Sequence, residues 1–223
     1  MKSKLGAFFL MLGLSVSAHA QFGGLLGGGG GGGGGDISAK VESFNKEAIF
    51  LREVVTFSLV QIVGALGDKT QIAAAREQAA NLAKTTNTKE AENLQGTVIK
   101  SELSNATALL SDSNAKEKME KLSPELQKKV AQSIFAVGVA ALKLPGTLET
   151  GKQIMQGVGS NPMNITKALP VKDGLSLFAE VLPKLPTLVS TGLKLMRDVK
   201  VDPGNPSATA TVEKVPPTIP AES

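Results

Sequence analysis

The chain has 223 residues, with 24 basic and 20 acidic side chains, a single His and no Cys, Trp or Tyr. Without Cys no disulfide can form, and a domain of this size must then be held by its core alone. The formal net charge of +4 falls to +2 without Lys2 and Lys4, a balance that gives no electrostatic footprint for nucleic acid, which would need a clustered basic face.

Residues 1–20 read as a secretory signal peptide. Lys2 and Lys4 make a short positive start, residues 5–16 are uncharged and mostly apolar, and Ala18-His19-Ala20 supplies the small-x-small pattern for cleavage before Gln21. The apolar stretch falls short of the roughly 20 residues a membrane-spanning helix needs. Cleavage would take away His19, the only His, together with Lys2 and Lys4. The mature protein is then expected to lack the commonest acid–base, thiol-nucleophile and metal-binding side chains.

Residues 21–36 form a Gly-rich linker that contains an unbroken Gly run from Gly27 to Gly35. Glycine has no side chain to bury and loses most on ordering, so this composition predicts a flexible tether. Residues 37–200 are expected to form one helical domain. Ile37, Val41, Phe44, Ala48, Leu51, Val55, Leu59, Ile62 and Leu66 recur at steps of three and four, one face of a helix roughly 45 Å long. Beyond Glu53 its polar faces disappear. Residues 54–67 carry no charge, and Val54, Phe57, Val60 and Val63 fill the remaining sides. A helix apolar all round must be surrounded by protein or by lipid.

Gly67 is expected to close that helix, and Asp68 with Gln71 to open the next through a capping box. A third helix covers about residues 89–110. A charged turn, 116–121, leads to Ser123-Pro124-Glu125, a capping hydroxyl followed by proline at the first helical position. Residues 126–144 follow as a helix with a second charge-free stretch, 130–142, containing Ile134 and Val137, and Pro145-Gly146 is expected to end it. Proline and glycine then predict short helices at 148–158, 162–169, 174–182 and 187–199. Residues 201–223 hold five prolines and predict a disordered or polyproline-like tail.

Motifs with chemical content are few. Gly146 to Lys152 fits G-x-x-x-x-G-K, but Gln153 replaces the Mg²⁺-holding hydroxyl and the preceding residues read as helix rather than strand. A nucleotide is therefore not expected. Ser43 with Lys46, and Ser113 with Lys116, match S-x-x-K without the companion elements of penicillin-binding enzymes. No calcium-loop pattern occurs, and no metal or cofactor is expected.

The fold expected is all-α, an irregular helical bundle of three or four longer helices and several short Pro/Gly-broken ones between disordered ends. The function expected is that of a non-enzymatic interaction or assembly protein of a bacterial envelope or secretion pathway, periplasmic or extracellular, with an unknown protein partner. The alternative is a lipid-binding or membrane-acting bundle. Either way, Val54, Phe57, Leu59, Val60, Val63, Ile134 and Val137 are the candidate apolar core or interaction surface.

Overall fold

The computed structural model describes residues 35–159 and 165–219. The expected signal peptide, most of the Gly-rich linker, the start of the helix expected at 162–169 and the last four residues lie outside them. The described residues build an all-α bundle with no strand. In chain order the helices are α1 (Gly35–Leu66), α2 (Lys69–Lys84), α3 (Thr88–Ser111), α4 (Ala115–Lys121), α5 (Pro124–Gly159), α6 (Ile165–Val181) and α7 (Leu185–Asp198), with a 3-10 turn at Leu182–Lys184.

The long stripe on α1 turns inward along its whole length, from half-buried Ile37 to fully buried Leu59, Ile62 and Leu66. On its outer side Lys46 and Glu42 form an i,i+4 ion pair at 2.7 Å. Gly67 ends the helix by donating its N–H to Val63 O at 2.8 Å. The capping box then opens α2. Gln71 N–H donates to Asp68 Oδ1 and Asp68 N–H donates to Gln71 Oε1, both at 2.9 Å. Asn87 caps α3 by accepting from the N–H groups of Lys89 and Glu90, and Ser123 caps α5 by accepting from Leu126 N–H at 3.3 Å.

α1 lies between α5 on one side and α3 on the other, and α6 and α7 complete the ring against α5. α2 is a surface helix whose only buried residue is Ala75, so its Ala-rich run does not make a central packing face. The charged turn expected at 116–121 is instead the short helix α4, anchored by fully buried Met119.

The second half of the chain is less broken than its prolines suggest. α5 does not stop at Pro145 but continues to Gly159. The inward residues Val137, Ala140, Leu144, Thr147, Gly151, Ile154 and Val158 keep one helical phase across the proline, while Pro145 sits on the exposed face. An interior proline costs about 3 kcal/mol. Burying Ile154 and Val158 outweighs that, because each full aliphatic burial contributes about 1.5–3 kcal/mol. α6 likewise passes through exposed Pro170 and buried Gly174. Ala168, Val171, Phe178 and Val181 hold its phase, and the Phe44 ring packs on Gly174. The helices expected at 162–169 and 174–182 are thus one element within the described span.

At the end of α7 Lys200 adopts a left-handed conformation (φ 59°), and Val201 N–H returns to Met196 O at 3.0 Å, a Schellman-type stop. Residues 201–219 then form no helix or strand, as their prolines imply. Their composition does not indicate where they go. They lie along the outer seam between α1 and α5.

Candidate functional site

The charge-free stretches of α1 and α5 pack together, and their polar interruptions gather on one side. On α1 these are Ser58 and Gln61, flanked by Glu53, Phe57 and the small Gly64. On α5 they are Gln132 and Ser133, flanked by Lys129, Phe135 and the small Gly138. The spacing of three and four along each helix brings these residues to a shared outward seam.

The C-terminal segment occupies that seam through specific contacts. Gln61 Nε2 donates to Thr218 O at 3.0 Å, and Thr218 N–H donates to Gln61 Oε1 at 2.7 Å. One side-chain amide thus satisfies both backbone groups of one residue, as a neighbouring strand would. Lys129 Nζ donates to Thr218 Oγ1 at 2.6 Å, and Lys214 Nζ pairs with Glu53 Oε2 at 3.0 Å. Being partly exposed, the Lys214–Glu53 pair is worth at most about 1 kcal/mol.

Two glycines admit the segment closely. A methyl built on Gly64 would lie 2.7 Å from Ile219 Cγ1, and one on Gly138 would lie 2.7 Å from Pro206 Cγ. Contacts rise along α1, from Glu53 to Gly64, and fall along α5, from Gly138 to Lys129, so the two helices run antiparallel under the segment. Between segment and helices a hollow of about 310 Å³ is left, lined by Val54, Phe57, Gln61, Phe135 and Val212 among others.

The sequence-derived residues divide between core and seam. Leu59, Val60, Val63, Ile134 and Val137 are buried at 0–1 % exposure and belong to the central core. Val54 and the half-exposed Phe57 line the seam. Gln61, Gly64, Lys129 and Gly138 were not among the residues singled out. For Gln61, Gly64 and Gly138 the signal is an amide and two glycines inside mostly apolar, charge-free helix stretches.

A second cleft, about 690 Å³, lies among α1, α3 and α6 and is bordered by Arg52, Glu92, Lys100, Leu169 and Asp173. Arg52 is buried, its guanidinium 3.5 Å from Glu92 Oε1, and its Nε finds no partner among the described residues. Near the α1–α5 contact, burial pushes the Glu47 carboxyl above its usual range, against the lowering effects of the Lys143 charge and a hydrogen bond from Thr147.

The G-x-x-x-x-G-K run lies inside helix α5, where Gly151 packs on Leu175 and Phe44 and no phosphate-cradling loop exists. Lys46 and Lys116 of the two S-x-x-K matches pair instead with Glu42 and Glu120. Comparison with protein-family models, with curated proteins and with solved structures finds no match to this chain.

Proposed function

We propose that this chain is a non-enzymatic interaction or assembly protein, exported to the periplasm or beyond and acting in an envelope or secretion pathway. The observation that carries the reading is the hold of Gln61 on the backbone of Thr218. It is recognition of an extended polypeptide, made by a surface seam with a backbone-reading amide and notches at Gly64 and Gly138. Such a seam supplies affinity for a chain segment and no reacting group. Export rests on the signal-peptide pattern of residues 1–20.

A second reading, a membrane-acting bundle, is favoured by a different observation. The charge-free stretches alone are too short to span a bilayer, but Ile37–Leu66 and Pro124–Val158 are long and apolar enough to do so. The most apolar windows of these helices are 78 % and 61 % buried in the bundle, so membrane action would require the bundle to open. Affinity capture from native envelope, run beside liposome flotation of the purified protein, separates the two. The interaction reading expects a specific protein partner and no flotation. Flotation without a partner would replace it with the membrane-acting reading.

A further inference from the structure

We propose that the α1/α5 seam is a binding site for an extended segment of a partner protein, and that residues 206–219 of this chain hold it as a resident competitor. The proposal rests on the reading of the chain as an interaction protein and names the chemistry of what it binds.

The seam measures its occupant. Glu53 and Gln61 are eight residues apart on α1, about 12 Å at the helical rise. Their partners Lys214 and Thr218 are four residues apart, about 13 Å for an extended chain. The two spacings match for a chain that runs extended and parallel to α1 from Lys214 to Thr218; upstream of that run the segment turns, with Ala210 N–H donating to Ser207 O at 3.1 Å. Gln61 reads backbone alone, so it accepts any residue with a free N–H, which excludes proline at that position. Gly64 admits the aliphatic side chain that follows, as it does Ile219, and Glu53 selects a cation four residues earlier. Gly138 receives a proline ring ahead of the turn at 207–210, as it does Pro206.

The resident segment fits this site incompletely. None of residues 201–219 is buried, and Val215 remains 48 % exposed. The hollow of about 310 Å³ lies between it and the Phe57 and Phe135 rings, at the level of Val212. A partner segment carrying a larger apolar residue in the Val212 position would fill that space and displace the tail. Each added methylene taken out of water there favours the partner.

The test uses the full chain. A tail-released variant carries Lys214→Glu, which faces Glu53 with a like charge, and Ile219→Asp, which empties the Gly64 notch. The probe is a fluorescent synthetic peptide with the sequence of residues 203–219, its binding followed by anisotropy and the fold of each variant by circular dichroism. The released variant should bind the peptide about tenfold or more tightly than the wild type, whose tethered tail competes at high effective concentration. Adding Gln61→Ala or Gly64→Val should remove the binding, and a Val212→Leu peptide should bind more tightly than the native one. A folded released variant that binds no better than wild type overturns the proposal, as does binding that survives Gly64→Val. Loss of helix in the released variant also overturns it, by making the tail part of the folding core. A wild-type dimer that Ile219→Asp abolishes would assign the seam to a second copy's tail and overturn the assignment to a partner protein. The broader interaction reading is judged separately, by envelope capture, and survives each of these failures.

Discussion

Gln61 and Thr218 stand 157 positions apart in the chain, and the side-chain amide of the first forms two hydrogen bonds with the backbone of the second, at 3.0 and 2.7 Å. Gln61 is itself buried, in a helix segment without a charge, so an amide left unpartnered there would be penalised. Seating the C-terminal segment and satisfying Gln61 are therefore one event.

Gln61→Ala is expected to free the end of the segment without unfolding the bundle. Two hydrogen bonds each contribute about 0.5–1.5 kcal/mol net. Hydrogen exchange at the Thr218 amide should accelerate about tenfold or more, while core amides of α1 and α5 stay protected. An unchanged Thr218 rate would mean that the glycine notches and the Lys214–Glu53 pair hold the segment unaided.

Leu59→Asp should act on the whole fold. Leu59 is fully buried among apolar neighbours. An unpaired carboxylate there would cost several kcal/mol or be forced to take up a proton. Against a total stability of about 5–15 kcal/mol, poor yield and a much lower melting temperature are expected. A Leu59→Asp protein with a normal thermal melt would contradict the burial of this segment.

Pro145→Ala should stabilise the protein. Pro145 lies on the exposed face of a continuous α5 and cannot donate to the carbonyl of Ala141. Alanine restores that donor and removes a ring clash, changes worth up to about 3 kcal/mol, offset by about 1 kcal/mol from the freer unfolded chain. A rise in the denaturant midpoint checks this. A fall would show that the helix is interrupted at Pro145.

Glu47→Gln should alter the pH dependence of stability in a defined direction. Because burial raises the folded-state pKa of Glu47, the native state holds this proton more tightly than the unfolded chain does. Its contribution to stability is therefore largest below the unfolded carboxylate pKa and is lost as pH rises through the folded value. The variant should gain stability over wild type at neutral pH, and the gain should vanish in acid. Chemical denaturation at both pH values measures it. A larger gain in acid than at neutral pH would refute the assignment.

Sequence alone determined what depends on neighbours three or four positions away. The all-α class, the inward stripe of α1, the stop at Gly67, the Asp68–Gln71 capping box and the Ser123 cap are local patterns, and each is present in the structure. The expected break at Pro145 failed because a local penalty was weighed without the burial opposing it. Gly151, Ile154 and Val158 continue the phase of Leu144, and their packing, which includes Phe44 and Leu175 on Gly151, decides that the helix goes on. The seam was illegible for a stronger reason. Gln61, Gly64 and Gly138 mean little in a helix until Thr218, Ile219 and Pro206 arrive from the far end of the chain. Composition sets how readily residues 201–219 form helix or strand, but only the grooves between packed helices decide where such a segment can rest.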